Sequence, residues 1–206
     1  MTYADGVVVI GAGGHGKSVV SVLLASGMPV AGVLDDDPAA WGRSVVGVPV
    51  LGPLSELGRM APARAVIGLG ENDARRAVAE RFPEVEWVRV VYPGAYVNPT
   101  ARIGAGTVVF PGTLIGADVA IGAHVVVSGH ATVGHDVVLE DFVHVAPGVQ
   151  IAGSVHVEAG AMLAIGSIVC PGVRIGAGAM LGAGAVAVHD VPAGCTALGI
   201  PARPRG

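Results

Sequence analysis

Val97-Asn98-Pro99-Thr100-Ala101-Arg102, Ile103-Gly104-Ala105-Gly106-Thr107-Val108 and Val109-Phe110-Pro111-Gly112-Thr113-Leu114 are successive blocks of six residues, each opening on an aliphatic side chain. The spacing continues without insertion through Ile115, Ile121, Val127, Val133, Leu139, Val145, Ile151, Val157, Leu163, Val169, Ile175 and Leu181. Four places after each aliphatic the residue is small or is valine, from Ala101 and Thr107 to Ala185. A period of six fits neither an α-helix nor a flat amphipathic strand. It fits short strands joined by tight corners, so that each block is one side of a prism and three blocks close a coil. Val97 to Val186 then forms five coils of eighteen residues with the large aliphatics stacked inside. Glycine follows the aliphatic at Gly104, Gly116, Gly122, Gly134, Gly176 and Gly182, where it is expected to supply positive φ at the corners. The outward run Val125, Val126, Val127 is expected to need a partner surface.

The residues before the repeat have a different composition, with the only lysine, Lys17, and most of the arginines. Two domains are therefore expected, residues 1–92 and 93–206, without a low-complexity linker. Val7 to Ile10 reads as a buried strand leading through Gly11-Ala12-Gly13-Gly14-His15-Gly16-Lys17-Ser18 into a helical pattern. A second strand, Val30 to Leu34, ends in Asp35-Asp36-Asp37, and a third, Ala65 to Leu69, ends at Gly70 before a helix from Ala74 to Arg81. The run Val88, Val90, Val91 is expected to close this sheet. Strand–helix alternation implies a small, Rossmann-like parallel α/β domain with its ligand loops at the carboxyl ends of the strands.

The glycine loop satisfies two motifs together. Gly11, Gly13 and Gly16 fit GxGxxG with Asp35 about twenty residues on, the dinucleotide pattern. Gly11, Gly16, Lys17 and Ser18 fit the P-loop pattern of ATP-binding proteins. A tight strand-to-helix turn needing glycine for packing alone is the plainer alternative. The shared requirement of both motifs is a phosphate-bearing ligand.

The six-residue repeat resembles the hexapeptide-repeat acyltransferases, and that resemblance implies a left-handed parallel β-helix. With Val9 to Gly16, Leu34-Asp35-Asp36 and Ile67 to Arg76 added, nearly the whole chain resembles the bacterial nucleotide-amino-sugar acetyltransferases of the PglD/NeuD-like group. The resemblance implies that Gly13, Gly14 and His15 contact a nucleotide sugar, with Asp35, Asp36 and Gly70 completing the pocket. Glu71 stands where many members have the first of two asparagines.

Five histidines lie between His124 and His156, although a β-helix requires none. His130 and His135 have the spacing of β-helical zinc hydratases, but Gly94 and Pro99 stand where the third ligand belongs, so no metal is expected. In the resembling transferases a histidine followed by an acid stands at His135-Asp136. A neutral imidazole can take the proton released when an amine attacks a thioester, and the neighbouring carboxylate stabilises the imidazolium. The resemblance assigns acetyl-CoA to His144, Gly153, Ile165 and Ala183, and the exit Gly199-Ile200-Pro201-Ala202-Arg203 to the family's terminal segment. His144 follows His135 by half a coil, hence on another side of the prism. The two can share a site only across a subunit boundary, in agreement with the homotrimers of the family.

The expected activity is acetyl transfer from acetyl-CoA to the amino group of a nucleotide-linked sugar, a UDP-4-amino sugar, with His135 as base. The alternatives are an O-acetyltransferase acting on a sialic-acid-type sugar and a non-enzymatic nucleotide-binding scaffold. No cysteine joins the histidine cluster, which disfavours an acyl-enzyme. A net charge of −4 with 14% charged residues offers no basic surface to nucleic acid. No apolar run has the length of a membrane span, residues 1–17 lack a signal peptide's basic start, and two unpatterned cysteines suit a reducing compartment. A cytoplasmic location is expected.

Overall fold

The computed structural model describes residues 6–60 and 63–205, and the chain divides into two compact units, Met1–Pro93 and Gly94–Gly206. The first contains β1 (Val7–Ile10), α1 (Gly14–Ala25), β2 (Val30–Leu34), β3 (Ser44–Val45), β4 (Val48–Gly52), β5 (Arg64–Ile67), α2 (Asn72–Arg81), β6 (Glu86–Trp87) and β7 (Val90–Val91). Its sheet runs β3-β4-β2-β1-β5-β6. Every pairing is parallel except β3 with β4. Both faces of β1 are buried, which is why its sequence is an unbroken apolar run. Val8 and Ile10 join Leu34, Leu54, Leu57, Ile67, Val78 and Phe82 in one core cluster. The intervening Val7 and Val9, also buried, point to the other side by strand alternation, and α1 buries Val19, Val20, Val22 and Leu23.

Two expectations for this unit change. The strand closing the sheet is β6, paired with β5, and the Val90–Val91 strand is not part of that sheet. The β3–β4 hairpin was not anticipated; its two-residue turn is Val46-Gly47, both at positive φ, 51° and 80°. A β-branched residue in that region is uncommon, so propensity gave no turn signal at Val46.

In the second unit the expected coil is realised as a left-handed β-helix. Strands pair in parallel with partners eighteen residues away: Val109 with Val127, Val145, Leu163 and Leu181 in turn. Three faces result. The first carries Leu114–Ile115, Thr132–Val133, Gln150–Ile151 and Ile168–Val169. The second carries Ala120–Ile121, Val138–Leu139, His156–Val157 and Arg174–Ile175. The third carries Val108–Val109, Val126–Val127, His144–Val145, Met162–Leu163 and Met180–Leu181. From Val109 to Leu181 every aliphatic that opens a block is buried. The exit forms a hairpin, Thr196–Leu198 against Arg203–Arg205, and extends the third face.

The role of glycine differs from the expectation. Positive φ falls three places after the aliphatic, at Gly106, Gly112, Gly148, Gly160, Gly166, Gly172, Gly178 and Gly184. The glycines directly after the aliphatic serve close approach between coils: a Cβ on Gly104 would lie 2.5 Å from the carbonyl of Gly122. Between residues 118 and 154 the corner position is often not glycine. Asp118, His124, His130, Asp136, Phe142 and Ser154 all adopt φ between 55° and 61°. Val125, Val126 and Val127 are buried within the single chain, so that run is not an open surface awaiting a partner.

Candidate active site

Chemistry-bearing residues gather at two places. In the first unit, β1 ends at Ile10 and α1 begins at Gly14 with Gly13 as its N-cap. The intervening turn leaves no room for the long loop that a P-loop wraps around phosphate, and the Ser18 hydroxyl donates to the Gly14 carbonyl within the helix. The glycines divide the work as in a Rossmann turn. Gly11 has φ +106°, and a Cβ on Gly16 would collide with the Gly11 carbonyl oxygen. At Gly13 and Gly14 an added Cβ meets nothing within 4 Å. Those two line a pocket of about 300 Å³ together with Ala12, Lys17, Ser44 and Val45. The strand order reverses at β1, with β2 on one side and β5 on the other, and the pocket lies beyond the carboxyl end of β1, where open α/β sheets take ligands.

Asp35 braces this loop. Its Oδ2 accepts the Ala12 N–H at 2.7 Å, its Oδ1 accepts the Asp37 N–H at 2.8 Å, and its carbonyl accepts the Trp41 indole N–H at 2.8 Å. Asp36 accepts the Leu54 N–H at 2.8 Å and lies 3.8 Å from Arg81. Gly70 is adjacent to His15: a Cβ built on it would lie 3.9 Å from the His15 Cβ. The buried guanidinium of Arg75 fixes the Gly70 loop, donating to the Gly70 carbonyl at 2.8 Å and to Asn72 Oδ1 at 2.9 Å. Burial lowers the Arg75 pKa to about 10, while the carboxylate of Glu71 works in the opposite direction. Thus Gly13 and Gly14 line the pocket and Asp35 supports it, whereas His15, Asp36 and Gly70 are not among its lining residues. Lys17, Ser44 and Val45 escaped the sequence reading; only the P-loop match pointed to Lys17.

The second place is a corner of the prism. His135 and Asp136 form the turn between the Thr132–Val133 and Val138–Leu139 strands, joining the first and second faces. His135 Nδ1 lies 2.7 Å from Asp136 Oδ2, and both side chains are more than half exposed. A carboxylate only accepts, so this contact places the proton on Nδ1 and a lone pair on Nε2. The ring lies over Gly153, one coil on: a Cβ there would be 2.5 Å from both Cε1 and Nε2 of His135. His144 stands on the third face. Ile165 and Ala183, eighteen residues apart, are exposed at equivalent turns between the third and first faces. In a triangular prism a corner lies across from the third face. One chain therefore groups His135, Asp136 and Gly153 at one edge and His144, Ile165 and Ala183 elsewhere.

Two further histidines of the repeat have structural partners. His124 stacks on Phe142 with ring centroids 5.2 Å apart, and His156 Nε2 lies 2.7 Å from Glu140 Oε1. The described residues hold no group of three His, Cys, Asp or Glu side chains that could bind a metal ion. No helix among them is long and apolar enough to cross a membrane.

Comparison with known proteins places these features in context. The family model of the PglD N-terminal domain matches residues 6–82. A structure of perosamine N-acetyltransferase from Caulobacter crescentus, a histidine-to-asparagine variant in complex with CoA and GDP-perosamine, is 38% identical with a TM-score of 0.93. The match covers 98% of this chain and 97% of that one. The acetyltransferase domain of PglB from Neisseria gonorrhoeae FA1090, in complex with acetyl coenzyme A, is 34% identical with a TM-score of 0.92, covering 98% and 99%. UDP-N-acetylbacillosamine N-acetyltransferase of Bacillus subtilis (strain 168) is 36% identical over 109 residues, half of each chain. The curated relatives are matched over half of their length or less. Because the 38% identity runs through both units and over 97% of the relative's chain, this protein belongs to the hexapeptide-repeat sugar N-acetyltransferases with a PglD-type amino-terminal domain.

Proposed function

We propose that the protein transfers the acetyl group of acetyl-CoA to the amino group of a nucleotide-linked amino sugar, with His135 as general base. The observation that carries this reading is the His135–Asp136 contact at 2.7 Å on an exposed corner. It leaves Nε2 able to accept the proton that the amine loses as its nitrogen attacks the thioester carbonyl. The carbon–nitrogen bond forms, the carbon–sulfur bond breaks, and CoA departs as the thiol. Asp136 stabilises the imidazolium formed in that step. Relatives that bind CoA, acetyl-CoA and GDP-perosamine support both the donor and the class of acceptor.

Gly13, Gly14 and the loop braced by Asp35 hold the nucleotide sugar, with His15, Asp36 and Gly70 around it. His144, Gly153, Ile165 and Ala183 hold the coenzyme. Since one chain separates the His135 edge from His144, the active site takes His135 from one subunit and His144 from the next in a homotrimer. The family resemblance points to a UDP-linked 4-amino sugar. The names of the relatives include both UDP and GDP, so the acceptor panel must hold both.

The test is thiol release from acetyl-CoA against UDP- and GDP-linked amino sugars, with a sialic acid as the hydroxyl acceptor and mass spectrometry of the products. An N-acetylated nucleotide sugar is expected. Turnover on the sialic acid alone makes the protein an O-acetyltransferase. Full turnover by His135→Ala removes His135 from the mechanism.

A further inference from the structure

The edge between the second and third faces of the prism departs from the repeat at one corner. Elsewhere its corners are built mainly from small residues, as at Gly104-Ala105-Gly106 and Gly176-Ala177-Gly178. The corner that leads into His144 reads Glu140-Asp141-Phe142 instead. All three of these side chains reach an adjacent coil. Glu140 reaches the next one: its Oε2 accepts the Ala159 N–H at 3.0 Å and its Oε1 lies 2.7 Å from His156 Nε2. Asp141 reaches the preceding one, its Oδ1 accepting the Ala123 N–H at 2.7 Å. That carboxylate lies against bare Gly122, where a Cβ would collide with Oδ1. Phe142 stacks on the buried ring of His124, with planes 3° from parallel, a spacing and geometry at which aromatic pairs attract. His124 and Phe142 both hold φ near +60°, 55° and 61°, a region that ring side chains rarely adopt. The stack thus secures two corners in a conformation that glycine supplies at Gly106, Gly160 and Gly178.

We propose that Glu140, Asp141 and Phe142 clamp this corner to the coils on either side and thereby position His144. This rests on the reading above that His144 holds acetyl-CoA; the added claim is what fixes its imidazole. His144 opens the strand that leaves the corner, and Val145 after it is buried inside the prism. Strand alternation therefore points His144 outward. Its N–H donates to the Ala161 carbonyl at 3.0 Å, so the ladder sets the height of the strand. The corner sets where that strand starts. A corner of glycine and alanine leaves the backbone more freedom, and a group that meets a reacting thioester loses much from a displacement of about an ångström. Contacts drawn toward opposite coils remove that freedom.

The experiment measures acetyl-CoA binding to the full-length protein by calorimetry, with melting temperature as the folding control. Asp141→Ala and Phe142→Leu each break one contact to the preceding coil. Asp141→Asn keeps an acceptor oxygen for the Ala123 N–H. Glu158→Ala is the control, because it removes a comparable latch one coil on, to Ala177 and Arg174. Asp141→Ala and Phe142→Leu should weaken acetyl-CoA by about threefold to a hundredfold, the range of coupling within one contact network. Asp141→Asn should recover most of that loss. On a His144→Ala background, Asp141→Ala should cost nothing further, since the imidazole it positions is gone. Glu158→Ala should lower the melting temperature and leave acetyl-CoA binding unchanged. The proposal falls, and the reading of His144 stands, if His144→Ala weakens acetyl-CoA while Asp141→Ala and Phe142→Leu do not. It falls likewise if Glu158→Ala weakens binding as much as they do, or if their loss persists in full on His144→Ala. If His144→Ala itself leaves binding unchanged, both fall.

Discussion

Gly153 carries no side chain, and the imidazole of His135 occupies the space that a methyl group there would fill. The sequence reading assigned Gly153 to the coenzyme; the structure adds that it is the seat of the proposed base. His135 is largely exposed, so a Gly153→Ala substitution can push the ring aside without disturbing the buried aliphatic stack. We expect kcat to fall by roughly tenfold to a hundredfold, the cost of a catalytic group displaced by about an ångström. The melting temperature should hardly move. Unchanged kcat in Gly153→Ala would show that the ring does not act from this position. His135→Ala should lose about two to four decades of kcat/KM, the usual range for general-base assistance. Asp136→Asn, which keeps the shape of the contact but removes its charge, should cost less than His135→Ala.

Individual elements carry strain and charge that can be measured separately. The β3–β4 hairpin turns on Val46-Gly47 with positive φ at both residues, the geometry for which Asn-Gly is preferred. Val46→Asn should raise unfolding stability by roughly 1 kcal/mol, and a denaturation curve showing a loss would mean that the tip of Val46 makes a contact worth more than the strain. On the second face Glu158 accepts the Ala177 N–H at 2.8 Å and pairs with Arg174. Those two hydrogen bonds, in that order, hold its pKa below the ordinary carboxylate value. A depressed folded-state pKa stabilises the protein above the unfolded value, and the gain is lost as pH falls through the folded one. Wild type should therefore melt higher than Glu158→Gln at neutral pH, and the difference should vanish in acid. A difference that persists in acid would assign the effect to packing.

For the whole molecule the question is whether a second copy completes the proposed site. Tyr96, Leu114 and Ile168 on the first face and Met180 on the third are each more than a third exposed, whereas Val125 to Val127 are buried, so the exposed four are the apolar candidates for the contacts of the proposed homotrimer. A shared site predicts complementation. His135→Ala and His144→Ala homotrimers should both be nearly inactive, the second through weakened acetyl-CoA binding. Mixed trimers from co-expression should recover activity, since random assembly in a closed ring restores roughly one site in four. A mixture no more active than its parents, or a stable monomer by light scattering, would refute the shared site.

The prism was legible before any coordinates, because a β-helix repeats one local rule. Each aliphatic from Val109 to Leu181 stacks on its counterpart eighteen residues away, so period alone dictates register and burial. The His135-Asp136 pair was singled out by the family resemblance, since the period asks for no histidine, and the structure adds that it forms a corner turn. What the period could not reveal was backbone conformation within a block. Glycines one place and three places after the aliphatic look alike in sequence, yet the first permit coil-to-coil approach and the second adopt positive φ. The pocket of the first unit was only half legible. Gly13 and Gly14 belong to a local motif, but Ser44 and Val45 reach it through a hairpin some thirty residues on. That hairpin turns on Val46, whose intrinsic preference argues against the conformation it adopts. Local pattern determined the scaffold and set His135 half a coil from His144; only the tertiary structure decided which side chains close the pocket, because the hairpin that carries Ser44 and Val45 there has no signal in the local pattern.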